Sequence, residues 1–333
     1  MEKTLIIAEA GVNHNGDIRI AKKLVDAAKD AGADIVKFQT VNLDKFITNE
    51  AVMADYQKDN IGKTMSQREM LNSLQLTYEE FLEVYEYCNN VGITFLSSAS
   101  EEDSIKFLDP LQDMWKISSG LITDYPFLRE ISKRRKPILL STGMSDLNEI
   151  ESAINVLTAG NIQVEDITLL QCTTDYPAPI KDVNLKVMDL FRRKFGCKVG
   201  YSDHTQGIEI PIAAVAMGAT VIEKHFTLDR NMEGPDHKAS LEPNELKSMV
   251  KAIRNVELAI GKSEKLPSEA ELKTRDVARK SIVARVDIAK GEFFSESNLI
   301  TKRPGIGLSP MMWEEVIGKV AIRDFRKDEL IVI

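Results

Sequence analysis

The sequence predicts a (β/α)8 barrel of the TIM type followed by a small, separate C-terminal domain. Strand-like apolar runs recur eight times before residue 262, and amphipathic helix-period segments separate most of them. Every run ends on a hydroxyl, an amine, an acid or an imidazole. Near-continuous apolar strands, each followed by a helix, indicate a parallel sheet covered on both faces. Eight such units suit a closed barrel better than an open sheet, and no GxGxxG follows the first strand to suggest a dinucleotide fold.

In chain order the strands are expected at 4–11, 34–40, 93–98, 114–119, 137–143, 166–173, 198–203 and 219–227. The first ends on Glu9 and the loop Asn13 to Gly16; the second on Lys37 and Gln39; the third on Ser97, Ser98 and Ser100. The fourth delivers Lys116, Ser118 and Ser119, the fifth Ser141 and Thr142, and the sixth Thr173, Thr174 and Tyr176. The seventh delivers Ser202, Asp203 and His204, and the eighth Lys224 and His225. Helices are expected from Ile18, Tyr78 and Leu147, closed by the cap-type glycines Gly32, Gly92 and Gly160. In a parallel barrel the carboxyl ends of all strands converge on one mouth, where the active sites of that architecture are built.

Two features of that mouth carry chemistry. His204 and His225 sit at the ends of neighbouring strands, so their imidazoles can share one metal ion with positions left open for water and substrate. Their spacing matches no close-spaced metal signature, and two core histidines are the plain alternative. Lys37 in DIVKFQT and Lys116 in MWKISSG are embedded in apolar strands, where an ammonium needs an anionic partner. With serine and threonine hydroxyls around them they suit a phosphate or a carboxylate. A desolvated lysine also serves as a Schiff-base nucleophile in metal-free aldolases, and the sequence leaves both uses open.

After the barrel, expected over 1–262, the segment 263–280 is charged and poor in β-branched residues, which predicts a helical connector. Residues 281–333 then alternate short strands and turns, a domain small enough to lean on the barrel or on another subunit. Apolar residues make up 43% of the 333, enough for a sizeable core. Acidic residues outnumber basic ones by 51 to 43 with no long basic block, so nucleic acid and anionic membrane are not expected partners. Three widely spaced cysteines, Cys88, Cys172 and Cys197, suit a reducing compartment, and with no signal-type or membrane-spanning apolar run in view a cytoplasmic location is expected.

The stretches IAEAGVNHNG (7–16), GADIVKFQT (32–40), ILLSTGM (138–144), CTTDYPAP (172–179), VGYSDHT (199–205), VIEKHFTLD (221–229) and GPDHKASLEP (234–243) together resemble the sialic acid synthase family. DIAKGE (287–292) and KRPGIG (302–307) are similar to its C-terminal antifreeze-like (SAF) domain. Within the family, GPDHKASLEP is most like the enzymes that make N,N'-diacetyllegionaminate, with N-acetylneuraminate synthases as near relatives.

The resemblance implies condensation of phosphoenolpyruvate with the open-chain aldehyde of an N-acetylated mannosamine-type sugar, giving a nine-carbon 2-keto acid and phosphate. It implies a divalent metal, Mn first with Mg or Co as substitutes, on His204 and His225. Phosphoenolpyruvate would be held by Lys37, Ser98, Lys116, Ser119, Ser141 and Ser202, and the sugar by Glu9, Tyr176, Asp236 and Arg303. Glu9, Lys37, Lys116, Asp203 and Asp236 would carry the chemistry. Arg303 would reach from the small domain into a partner's barrel mouth, making a homodimer part of the site. The chain departs from the pattern at Leu121, where the family has a glutamate thought to handle protons. On that basis Leu121→Glu is expected to raise turnover. Thr174 replaces a usual asparagine, and SSAS (97–100) lacks the usual proline and aromatic. The alternatives that stay open are a lysine Schiff-base aldolase and a sugar-binding homologue that has lost catalysis.

Overall fold

In the computed structural model, which describes residues 3–62 and 65–333, eight parallel strands run through the first part of the chain. They are β1 (Leu5–Gly11), β2 (Ile35–Thr40), β3 (Thr94–Ala99), β4 (Trp115–Ile117), β5 (Ile138–Ser141), β6 (Ile167–Gln171), β7 (Lys198–Asp203) and β8 (Val221–His225). β1 pairs with both β2 and β8, so the hydrogen-bonded order is β3-β2-β1-β8-β7-β6-β5-β4. β3 and β4 lie side by side and close the ring, without a backbone ladder among the described residues. This is the expected barrel.

Around it lie α1 (Ile18–Ala31), α2 (Leu43–Phe46), α3 (Asp55–Ile61), α4 (Gln67–Leu74), α5 (Tyr78–Val91), α6 (Glu102–Leu108), α7 (Tyr125–Ser132), α8 (Leu147–Ala159), α9 (Val187–Phe195), α10 (Glu209–Ala216) and α11 (Pro243–Ile260). The starts follow local chemistry. Asp17 caps α1, and reciprocal capping boxes open α5 (Thr77 with Glu80) and α8 (Asp146 with Glu149). Gly32 and Gly92 end their helices in the left-handed conformation, as expected. Gly160 does not: its φ is −87°, and it is glycine because a Cβ there would overlap the Ser132 side chain. Three helices not expected from the sequence, α2, α3 and α4, are inserted between β2 and α5.

Side chains alternate across each strand, and that parity builds the barrel. Outward residues such as Ile6, Ala8, Val36, Phe38, Trp115 and Tyr201 pack against the helices in the main core. Inward, Ile7, Ile35, Leu96, Leu139, Leu170 and Val221 form an apolar floor, with Met114 packed against it. Gly200 completes the ring, its Cα facing Leu170 and Val221. Two residues further along, the eight strands present Glu9, Lys37, Ser98, Lys116, Ser141, Cys172, Ser202 and Glu223 on that inward face.

The chain divides into two compact units after Gly261. In the second, Lys262–Ile333, antiparallel β9 (Ser281–Ala284) and β10 (Leu299–Lys302) pair around a core that includes Ile282, Phe294, Leu299 and Phe325. The expected connector contains α12 (Glu269–Ala278), which buries none of its residues. Its end is tied into this unit by the Gly305 amide, which donates to the Asp276 carbonyl at 2.7 Å. A last short helix, α13 (Trp313–Val316), adds Val316 to the same core. No helix among the described residues is long and apolar enough to cross a membrane.

Candidate active site

The layer above the apolar floor is an ion cluster. Lys37 Nζ lies 2.8 Å from Glu9 Oε2 and 3.7 Å from Glu223 Oε2, and donates to Ser98 Oγ at 3.1 Å. Lys116 Nζ lies 3.3 Å from Glu223 Oε1, which also accepts from Ser202 Oγ at 3.1 Å. All six residues are buried. Burial alone would raise Glu223, but Lys116, Lys37 and His225 pull it down to about 2. Burial likewise opposes the charge of Lys37, yet Glu223 and Glu9 outweigh it and hold the ammonium above the ordinary lysine range. Two buried cations thus converge on one carboxylate, and beside them the buried hydroxyl of Ser141 has no hydrogen-bond partner among the described residues. Two ammonium groups among serine hydroxyls have the chemistry to bind an anionic ligand.

Glu223 was not among the residues singled out from the sequence. The signal was present in its parity, since it shares the inward face with His225 two residues on.

One step further up the same faces stand the two histidines, with ring centroids 5.6 Å apart. His204 Nδ1 lies 2.7 Å from the Thr173 carbonyl, an acceptor only, so this nitrogen carries the proton and Nε2 the lone pair. Burial holds His204 at about 4 and, helped by His204 and Lys37, holds His225 well below the usual imidazole range. His225 Nδ1 is buried without a partner among the described residues. Two neutral imidazoles with free lone pairs suit a divalent cation. Among the described residues, no third His, Cys, Asp or Glu joins them at metal-ligand spacing.

On the other side of the histidines, Gln39 Nε2 donates to Glu9 Oε1 at 3.0 Å. Gly11, at φ +53° beside the β1 bulge, permits this: a Cβ would stand 3.3 Å from both Glu9 and Gln39 and 3.5 Å from the His225 ring. Asp236 is buried nearby, and burial, with a smaller push from Glu9, raises it to about 7. The Tyr176 ring packs on His204 at 4.1 Å and edge-on to His225 at 5.6 Å. Ser119 Oγ accepts from the Gly143 amide at 3.0 Å and lies 3.2 Å from Cys172 Sγ. Gly143 is glycine by necessity, since a Cβ would overlap the Thr174 and Ser119 hydroxyls.

Two of the expected positions, Asp203 and Leu121, lie away from the lysine cluster. Asp203 has the opposite parity to Ser202 and His204. It points into the helix layer, where it pairs with Lys224 at 2.6 Å and accepts from Thr205, all fully buried, so its role is to hold the β7–β8 corner. Lys224 also donates to the Thr205 carbonyl. Leu121 packs against the main core and lines a cleft with Lys45, Glu101, Asp124 and Phe127, not the lysine cluster. Arg303 lies in the second unit, exposed, just before Pro304.

The profile of the NeuB family matches residues 24–265, and that of the SAF domain matches 279–332. The chain is 51% identical over 332 residues to the N,N'-diacetyllegionaminic acid synthase of Campylobacter jejuni, covering 99% of each chain. It is 46% identical over 316 residues to the enzyme of that name from Legionella pneumophila, covering 94% of this chain and 89% of that one. Among solved structures it superposes on the N-acetylneuraminic acid synthetase of Leptospira borgpetersenii, crystallised with citrate, with a TM-score of 0.71 at 30% identity, covering 82% of this chain and 90% of that one.

Proposed function

The chain belongs to the NeuB family, and from that premise we propose that it condenses phosphoenolpyruvate with an N-acetylated mannosamine-type sugar and water. The products are a nine-carbon 2-keto acid and phosphate. The two relatives named as N,N'-diacetyllegionaminic acid synthases favour 2,4-diacetamido-2,4,6-trideoxymannose as acceptor, with N-acetylmannosamine second.

The observation that carries this reading is the pair of buried lysines converging on Glu223, next to the unpartnered Ser141 hydroxyl and one layer below two neutral histidines. Phosphoenolpyruvate carries a phosphate and a carboxylate, and Lys37, Lys116, Ser98, Ser141 and Ser202 can bind them, with Ser119 at the edge of the same mouth. His204 and His225 would hold a divalent metal, Mn first, which supplies Lewis-acid polarisation of the acceptor's carbonyl. Glu9, Asp236 and Tyr176 line the acceptor side.

The methylene carbon of phosphoenolpyruvate bonds to the aldehyde carbon, and the aldehyde oxygen takes a proton. We assign that proton to Asp236, whose carboxyl burial raises to about 7. Water then adds at the former enol carbon, and the carbon–oxygen bond to phosphate breaks. The Schiff-base alternative, on Lys37 or Lys116, needs a neutral amine; Lys37 is instead held charged by two carboxylates, and Lys116 is ion-paired with Glu223 at 3.3 Å. A homodimer, with Arg303 offered to the partner's mouth, completes the proposal. The test is incubation with phosphoenolpyruvate, Mn and a panel of mannosamine-type sugars, reading phosphate and product mass. Phosphate equimolar with a nine-carbon acid is expected; sugar binding without phosphate release would favour a binding protein.

A further inference from the structure

The insertion between β2 and α5 sends one helix to the barrel mouth. From α3, the Tyr56 ring stacks on Tyr176 with centroids 5.0 Å apart and planes 28° apart. The Asn60 amide donates to the Pro235 carbonyl at 2.6 Å, one residue before Asp236. On the insertion's other flank, Met53 joins Val12, Met70 and Leu74 in a small core of its own, which anchors the segment to the loop after β1. Among the described residues, α3 makes no hydrogen bond or ring contact with Lys37, Lys116, Ser141 or Glu223. The contacts that its described residues make with the mouth fall on the acceptor side.

The geometry points to Tyr56 as a positioning residue of the acceptor subsite: by stacking on Tyr176 it holds that ring against His204 and His225. The Tyr176 side chain is fixed by ring contacts on these three neighbours, so removing Tyr56 leaves one face without support. The ring does the holding. Among the described residues, the Tyr56 hydroxyl accepts only from Gln57 of the same helix, at 3.3 Å.

Naming the substrate affected rests on the synthase reading. The experiment compares Tyr56→Ala and Tyr56→Phe in the full chain, with both KM values measured by phosphate release. Tyr56→Ala should raise the sugar KM roughly 3- to 10-fold, on the scale of one aromatic pair, and leave the phosphoenolpyruvate KM unchanged. Tyr56→Phe keeps the ring and should restore the sugar KM. A second readout needs no turnover: in metal-free protein with ring-15N-labelled histidine, the His204 resonances should shift in Tyr56→Ala and return in Tyr56→Phe. The inference is overturned if both KM values rise together, if phenylalanine is as harmful as alanine, or if the His204 resonances do not move. Should the wild-type protein release no phosphate, the synthase reading falls, and the His204 resonances decide the role of Tyr56 alone.

Discussion

Replacing Asp236 with asparagine should stabilise the fold at alkaline pH while disabling the enzyme. Native Asp236 keeps its proton up to about pH 7, against an ordinary value of 3.8. The unfolded chain therefore releases that proton about three pH units earlier, and each unit is worth about 1.4 kcal/mol. A folded pKa above the unfolded one means that the native state binds the extra proton between about pH 4 and pH 7. Stability is lost as pH rises through that window, the loss reaching at most about 4 kcal/mol above pH 7. An asparagine in its place is neutral at every pH and similar in shape, so Asp236→Asn removes the penalty. At pH 8 the variant should melt up to roughly 10 °C above wild type for a unit of this size, and at pH 4 the two should nearly coincide. Phosphate release by the variant should fall by about 10²- to 10⁴-fold, since an amide cannot give up the proton. A variant less stable than wild type at pH 8, or a difference independent of pH, would refute the raised acid. Full activity would remove it from the chemistry.

Three further outcomes follow from the same geometry. His225→Gln should lower turnover at least ~100-fold with the melting temperature preserved, because an uncharged imidazole whose Nδ1 has no hydrogen-bond partner among the described residues contributes little to the fold; an unfolded variant would make it a core residue. Leu121→Glu should not raise turnover, contrary to the expectation from sequence, and should cost about 1–3 kcal/mol in a denaturant titration, because the side chain packs on the main core; a tenfold gain in rate would refute this. Mixing Arg303→Ala with His225→Gln protein and allowing subunits to exchange should recover activity approaching about a quarter of wild type if sites are shared across a homodimer. No recovery, with exchange verified, would keep Arg303 out of the partner's site.

The strands and their order were legible because parallel barrel strands are apolar on both faces and end in polar residues. β7 was located to the residue, and the others to within a few. Which polar residues share the mouth was less legible, because every strand end is polar and only parity separates inside from outside. Asp203 and His204 are adjacent, yet one holds a corner behind the sheet and the other faces the mouth. Glu223 was hidden for a related reason. Between Ile222 and Lys224 it reads as a neutralised surface charge, and its two lysine partners lie on β2 and β4, far away in sequence. Tyr56 could not be foreseen, since a short helix in a long insertion carries no periodicity that says which strand end it will cover.

In the proposed reaction the lysine–glutamate cluster binds phosphoenolpyruvate, and water, not the enzyme, takes the place of its phosphate. Phosphoenolpyruvate labelled with 18O in the oxygen bridging carbon and phosphorus tests this most directly, with 2,4-diacetamido-2,4,6-trideoxymannose as acceptor and Mn present. Condensation followed by carbon–oxygen cleavage sends the label into inorganic phosphate, one labelled oxygen per phosphate released. Unlabelled phosphate would show that the phosphorus–oxygen bond breaks instead, and would rule out the proposed reaction.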